Sequence, residues 1–290
     1  MKSLTDEIFE FLSSSGVPVD TCRRIFTSLA CRKKGGGLCR IIPVDICALN
    51  LDEASRHQES LSREIDLAEI EDGARPLVVT RDRWMSHPEM MRGRLLSHCG
   101  LFKSIYARNC SVRRIEKKQA ADFLDRYHSY SDASCRYRYG VFVDRYTGHG
   151  AFGEGLPSRG EMVAVAEFSN ARRWNKGGNI ISSYEWTRYA CLPQVRVVGG
   201  MGKVLEKFIE EVNPDDVMSY ADLEWSDGAV YEALGFRAES DTTPVTFAMN
   251  PHTWKRTALS KMPLSSGGEG DILYFTNLGS RKYRLKLTAY

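Results

Sequence analysis

The chain lacks a long hydrophobic run, a signal peptide and any closely spaced pair of cysteines. None of its apolar stretches approaches the ~18–20 residues that span a bilayer. The segment from Met1 to Phe9 carries acidic residues and has no apolar core of the kind that signal peptides contain. We therefore expect a cytoplasmic protein.

Cysteine occurs at eight positions, but no two form a Cys-x-x-Cys pair. Cys22, Cys31, Cys39 and Cys47 recur without the close pairs that structural zinc sites use. In a reducing compartment such residues are more often small buried hydrophobic groups than disulfides. The sequence therefore predicts no metal site.

Excess charge of one sign is also lacking. The formal net charge is +3, with 42% hydrophobic and 27% charged residues, which is typical of a soluble globular protein of one or two domains. The basic residues are nevertheless clustered within segments 23–40, 108–138 and 281–286. Such clusters bind the phosphates of nucleic-acid partners, although more often they form a solvated surface.

Residues 1–105 read as a mostly helical N-terminal domain. Apolar spacing over residues 3–31 predicts two short helices separated by Gly16-Val-Pro18, another helix is expected after Asp45, and a further helix runs from Pro88 to Leu101. Only two short strands are expected here, an edge strand at Ile41–Asp45 and another at Pro76–Thr80.

Residues 106–250 follow a different pattern. From Cys110 to Met249 the predicted order is β-α-β-β-β-α-β-α-β, with Val245–Met249 as the last core strand. A glycine-rich loop is expected at Thr147–Gly160 and a linker at Leu264–Gly270. Residues 251–290 form a C-terminal extension in which a small hairpin is expected. The fold class is α+β, a mixed β-sheet flanked by helices.

A glycine turn that opens a helix is the first candidate site. Free backbone N–H groups and the positive end of a helix dipole suit a pyrophosphate, which points to a nucleotide-like cofactor, most of all acyl-CoA. The backbone that would bind it belongs to Val198, Gly199, Gly200, Met201, Gly202 and Lys203.

Two features of this region resemble the GNAT (N-acetyltransferase) superfamily. Tyr231-Glu-Ala-Leu-Gly-Phe236 matches the family's Tyr-x-x-x-Gly-Phe segment, and the glycine turn resembles its Arg/Gln-x-x-Gly-x-Gly/Ala loop. The loop match is imperfect, because either Val197 or Met201 stands where the family has another residue. The resemblance implies acetyl-CoA or a related acyl-CoA as cofactor, and Tyr231 as the general acid that protonates the departing thiolate.

A narrower resemblance concerns the order His128, Arg188, Asp222, Tyr231, which is similar to phage Mom-type DNA-modification proteins and related mobile-element GNAT-like proteins. It implies a nucleic-acid amine as acceptor. Some of these relatives carry an endonuclease-like domain upstream. Here Arg81 stands where an acid commonly precedes Asp-x-Trp, and residues 1–100 hold no intact acidic nuclease triad, so we expect no nuclease activity.

Each candidate residue also has a structural alternative. Tyr231 could anchor its helix to the sheet, Asp222 could be a turn or N-cap acid, and His128 could cap a helix instead of acting as a base or binding substrate. Arg188 on a predicted strand needs an acidic partner or a ligand, and Asp222 on the adjacent strand would be that partner in a structural ion pair.

Three functions therefore remain open on the sequence alone. The first is acyl transfer to nucleic acid, which the mixtures of cations and aromatic residues at 136–139 and 172–174 favour. The second is acetylation of a protein or small-molecule amine. The third is a DNA-binding accessory role without CoA.

Overall fold

The computed structural model describes residues 2–145, 157–262 and 272–290. The predicted linker at Leu264–Gly270 and most of the predicted loop at Thr147–Gly160 lie outside these residues. Within the described residues, no helix is long and apolar enough to cross a membrane. All eight cysteines are free, and five of them are buried.

The N-terminal part is built around a four-stranded sheet in the order β1-β2-β3-β4. The first three strands are antiparallel, and β4 lies parallel to β3. Leu4, Ile8 and Leu12 form the buried stripe of the first helix and belong to the same core as this sheet. The elements are α1 (Leu4–Ser14), β1 (Val19–Arg23), β2 (Thr27–Arg32), β3 (Leu38–Val44), α2 (Leu51–Asp72), β4 (Leu77–Thr80), α3 (Arg81–Ser86) and α4 (Pro88–His98).

The prediction of a mostly helical N-terminal domain missed this sheet. The second predicted helix, up to residue 31, is in fact the hairpin β1–β2. In β2, consecutive residues from Ser28 to Cys31 are all buried, and such a strand has no period that distinguishes it from a helix. The predicted edge strand is also corrected, because β3 lies between β2 and β4 and is buried along nearly its whole length.

The larger sheet has the order β6-β7-β8-β10-β12-β17-β13, with β9 paired to β10. A two-stranded sheet (β5, β11) and a three-stranded sheet (β15-β14-β16) complete the fold. The elements are β5 (Lys103–Tyr106), β6 (Cys110–Arg114), α5 (Lys117–Tyr127), β7 (Tyr137–Val143), β8 (Met162–Phe168), β9 (Arg172–Lys176), β10 (Asn179–Cys191), β11 (Val195–Val198), α6 (Gly200–Val212), β12 (Asp216–Asp222), α7 (Ala229–Ala233), β13 (Arg237–Asp241), β14 (Thr246–Met249), β15 (Arg256–Ala258), β16 (Leu273–Thr276) and β17 (Ser280–Lys286), with 3₁₀ turns at Ala107–Asn109 and Leu259–Lys261.

The α+β class, with a mixed sheet flanked by helices, is confirmed. The last strand of the predicted order is wrong. Val245–Met249 contains β14, which pairs with β15 and β16, whereas β13 is the strand that follows α7 at the sheet edge. All five residues of β13 are exposed, so it has no apolar alternation to reveal it. The predicted C-terminal hairpin is also wrong, because β16 and β17 belong to different sheets.

The larger sheet splits between its two parallel central strands. β10 and β12 pair only where Ser183–Glu185 face Asp216–Met218, and beyond these residues they have no mutual register. At the same point the pairing of β10 with β8 shifts between Trp186 and Arg188, as at a β-bulge. A cleft therefore opens between the C-terminal halves of the two strands.

Helix α4 covers this cleft. Gly93 permits a close approach, because a Cβ there would lie 2.7 Å from the Cβ of Pro193, in the loop after β10. The N-terminal part thus forms one wall of the space between β10 and β12.

Candidate active site

A cavity of about 550 Å³ occupies the cleft between β10 and β12. All four residues predicted as catalytic line it: His128 after α5, Arg188 on β10, Asp222 at the end of β12 and Tyr231 on α7. Three distant regions of the sequence, the last of which contains both Asp222 and Tyr231, therefore converge on one space. Their roles remain predictions, but the structure does bring them together.

Tyr231 presents its phenol to this cavity from the short helix α7. Its hydroxyl accepts a hydrogen bond of 2.9 Å from Ser219, and its ring stacks on Tyr283 with 5.3 Å between centroids. Burial raises the pKa of Tyr231, and the bond from Ser219 offsets this only in part. The phenol is therefore protonated at neutral pH, as a general acid must be.

Asp222 does not pair with Arg188. Its Oδ2 accepts from the Nη2 of Arg83 on α3 at 2.9 Å and from the hydroxyl of Tyr130 at 3.2 Å. Burial alone would raise the pKa of Asp222, but the charge and hydrogen bond of Arg83, the backbone N–H of Glu224 and the charge of Arg256 together hold that pKa below its usual value. The predicted ion pair is thus replaced by one whose cation comes from the N-terminal part of the chain.

Arg83 and Asp222 belong to a larger buried network. The Nη1 of Arg83 lies 3.0 Å from Glu224, whose other oxygen is 3.8 Å from Arg256 on β15, and Arg256 in turn pairs with Asp82. Charges alternate along the whole series. It joins α3, the end of β12 and the small three-stranded sheet, so it fixes these parts relative to one another. We call Asp222, Arg83, Glu224, Arg256 and Asp82 the buried ion network.

The guanidinium of Arg188 donates hydrogen bonds to backbone carbonyls. It donates to the oxygens of Ser131 and Thr187 at 2.9 Å each, and to that of Tyr130 at 3.4 Å. No carboxylate of the described residues forms an ion pair with it. These bonds hold the loop after α5 against β10 and leave the positive charge without a compensating acid.

His128 is not placed to act as a general base. Its Nδ1 accepts the backbone N–H of Tyr130 at 3.1 Å, which leaves the proton of the neutral ring on Nε2. Burial, together with the charges of Arg188, Arg94 and Arg83, lowers the pKa of His128 to about 3. At neutral pH a ring that is neutral and already protonated on its free nitrogen can donate a hydrogen bond to a substrate, but it is a poor proton acceptor.

The glycine turn has the geometry of an anion site. Gly199 adopts a positive φ of 77°, and the N–H groups of Gly200, Met201 and Gly202 at the start of α6 have no acceptor within the described part of the chain. Met201 lines the cavity, so the turn adjoins it. Lys203 is an exception to the prediction. Its N–H bonds to Gly199 O, and its Nζ donates to the carbonyls of Ala107 and Cys110.

Arg94 was missed by the sequence reasoning. It lines the cavity from α4, lies 4.6 Å from the centroid of the Trp225 ring, and forms no ion pair with any described residue. Burial lowers its pKa to about 10. No sequence pattern marked this residue, because the cavity-lining face of α4, formed by Met90, Gly93, Arg94 and Ser97, is not an apolar stripe.

Comparisons with known proteins find general resemblance only. No protein-family model and no curated protein sequence matches the chain. Among solved structures, a chain of the NatC complex bound to Gag peptide and CoA is 13% identical, covers 62% of this chain and 99% of its own, and has a TM-score of 0.33. The acetyltransferase yncA of Salmonella typhimurium with acetyl-CoA is 12% identical, covers 63% of this chain and 96% of its own, and has a TM-score of 0.34. A histone acetyltransferase HPA2-related protein of Corynebacterium glutamicum is 12% identical, covers 53% of this chain and 66% of its own, and has a TM-score of 0.29. These values assign no activity or site residue to this chain.

Proposed function

We propose that this protein is an acyl-CoA-dependent N-acyltransferase of the GNAT type whose acceptor is an amine on nucleic acid. The observation that carries the proposal is the cavity between β10 and β12. It has a protonated phenol, Tyr231, on one wall and the free N–H groups of the α6 turn beside it.

The α6 turn fits a pyrophosphate. Three successive N–H groups that have no acceptor among the described residues, at the positive end of a helix of 13 residues, form an anion site of the kind that phosphates occupy. Gly200 is required for the turn itself, because a Cβ there would lie 2.8 Å from the hydroxyl of Tyr189 and from a methyl of Val197. Gly202 has space, since its Cβ would meet only Leu234, at 3.4 Å.

An acyl-CoA would supply an activated acyl group as a thioester. As the amine nitrogen forms its bond to the thioester carbon and the C–S bond breaks, Tyr231 would give its proton to the departing sulfur, and the proton that the amine loses would restore the Tyr231 phenol. Asp222 remains ionised and accepts hydrogen bonds, so it orients the attacking amine. His128 donates from Nε2, and Arg188 is a positioning residue that holds the loop carrying His128 and Tyr130. This assignment replaces the expectation that Arg188 and Asp222 act as a pair.

Cofactor binding is tested by calorimetry with CoA. Gly202→Glu should abolish binding, because a carboxylate beside the free N–H groups repels a phosphate, whereas Gly202→Gln, of nearly equal size, should retain part of the affinity. Both variants should keep the parent melting temperature, since the space at Gly202 is open. If Gly202→Glu binds CoA as the parent does, the turn is not the cofactor site. If the parent itself binds no CoA, an accessory role without CoA is favoured.

The chemical role of Tyr231 is tested by acyl transfer to nucleic acid, read as modified nucleosides by mass spectrometry. Tyr231→Phe should lower turnover by about 10²-fold or more while CoA affinity stays unchanged, because only the acidic proton is lost. Tyr189→Phe is the matched control, since that phenol also lines the cavity but contacts Cys191. Loss of turnover in the control alone would transfer the acid role to Tyr189.

A further inference from the structure

A second concave surface lies on the larger sheet, on the strands next to the active-site cavity. It encloses about 350 Å³ and is formed by strands β9, β10, β12, β13 and β17 with the C-terminal residue. We call it the basic groove. Five cations, three aromatic residues and two acids are among its lining: Arg172, Lys176, Lys282, Arg284, Lys286, Trp174, Tyr220, Tyr290, Asp216 and Glu239.

The cations of the groove fall into two groups. Arg284 and Lys282 are neutralised, because Arg284 pairs with Asp216 and both contact Glu239. The other three form no ion pair with any described residue and touch aromatic rings instead. Arg172 lies 5.7 Å from the Trp174 ring centroid, and Lys176 and Lys286 lie 4.8 and 4.7 Å from that of Tyr290. The groove therefore carries an uncompensated positive charge.

Two of its aromatic side chains are open to solvent. Trp174 exposes 45% of its surface and Tyr220 exposes 38%. Trp174 sits on β9, all five residues of which are exposed. Large rings at a charged, exposed sheet surface cost solvation free energy that ordinary surface residues would avoid, and a ligand with flat apolar faces would recover it.

The groove runs into the active-site cavity. Along β12, Asp216, Met218, Tyr220 and Asp222 share one face, since strand residues alternate between faces. Their partners on β17 are Lys286, Arg284, Lys282 and Ser280. The first three of these cross-strand pairs line the groove, and the last pair, Asp222 with Ser280, lines the cavity. Tyr220 lines both. The row spans ~20 Å, at ~3.3 Å per residue.

We propose that the basic groove binds a single-stranded segment of nucleic acid and leads one nucleotide toward Asp222 in the cavity. The inference rests on the proposed function and specifies its acceptor. Cations without acidic partners suit phosphodiesters, and exposed Trp174 and Tyr220 suit base stacking, which is the combination that single-strand binding surfaces use. An acidic peptide would use the cations but would leave both rings without stacking partners.

Binding is measured by fluorescence anisotropy with a labelled single strand of about 12 nucleotides, a site length within the range of single-strand surfaces. Trp174→Ala should weaken binding by about fivefold or more, from the loss of one stacked base. Lys176→Ala/Lys286→Ala should weaken it too and should lower the slope of log K against log salt by about 1.4, since each lost phosphate contact removes about 0.7.

Two control variants match these changes. Ile180→Ala alters the same β9–β10 hairpin on its opposite face, and Lys117→Ala/Lys255→Ala removes two exposed lysines away from the groove. Both should bind the oligonucleotide as the parent does. Equal losses in the controls and the groove variants would overturn the proposal. So would tighter binding of a duplex of the same sequence, or equal binding of a poly-glutamate peptide that does not respond to Trp174→Ala.

Failure of this inference is separable from failure of the proposed function. CoA calorimetry on the groove variants should give the parent affinity, because the groove does not include the α6 turn. CoA binding without oligonucleotide binding would reject the groove and leave acyl transfer to another acceptor. Oligonucleotide binding at the groove without CoA binding would reject the acyltransferase instead.

Discussion

Two arginines on neighbouring helices are both desolvated, but their pKa values shift in opposite directions. Arg83 on α3 is buried and Arg94 on α4 is half-buried, both near Asp222, yet the pKa of Arg83 is raised and that of Arg94 is lowered to about 10. Burial lowers the pKa of both. The charges of Asp222 and Glu224 reverse this for Arg83, whereas Arg94 lies against an aromatic ring without forming an ion pair with any described residue.

The comparison distinguishes the charge of Arg83, which stabilises the fold, from the charge of Arg94, which is available to bind a ligand. The charge of Arg83 is balanced by two carboxylates, and its removal leaves those two acids without their shared cation. A half-buried arginine such as Arg94, which forms no ion pair with any described residue, is unfavourable by itself, and an anionic ligand would stabilise it. The cavity therefore has a wall fixed by the buried ion network and an adjacent positive group suited to a phosphate or carboxylate.

The largest expected effect comes from breaking the buried ion network. Arg83→Met should lower the free energy of unfolding by ~3–5 kcal/mol, because Asp222 and Glu224 lose their shared cation. Urea unfolding at neutral pH measures this change.

The triple replacement Arg83→Met/Asp222→Asn/Glu224→Gln serves as the control, since it removes both orphaned charges together with the cation. It should be clearly more stable than Arg83→Met alone. If the single variant loses less than about 1 kcal/mol, the network does not hold α3 to β12, and the contrast with Arg94 fails.

The fold could be predicted where residues repeat with a clear period. The stripe Ala120, Phe123 and Leu124 predicted α5, and the apolar runs of β7 and β8 predicted two core strands. The failures share one cause. β2 is buried without alternation and β13 is exposed without alternation, so neither carries a period-2 signal. The sequence also did not predict which strands pair with β17, because β17 and β12 are distant segments of the chain.

The site could be predicted as residue types but not as partnerships. The order of His128, Arg188, Asp222 and Tyr231 led to residues that do line one cavity. That Asp222 pairs with Arg83, 139 positions away, follows only from the docking of α3 onto the end of β12. The state of His128 could not be predicted either, because it depends on burial and on three arginines from three different elements.

The smallest expected effect on stability is that of Arg94→Met. At pH 7 it should change the free energy of unfolding by about 1 kcal/mol or less, because the lost contact with Trp225 is offset by removal of a half-buried charge that has no acidic partner among the described residues. At acidic pH the variant should gain on the parent. His128 has a folded pKa of about 3 and an unfolded value near 6.5, so the parent has the full contribution to stability above pH ~6.5 and loses it as the pH falls toward 3. Without Arg94 the folded pKa of His128 should rise, which reduces that loss. Titration of the His128 ring by NMR, assigned with His128→Gln, measures the rise. An unchanged pKa would mean that burial and the other two arginines account for the whole shift, and that Arg94 does not set the potential of the cavity.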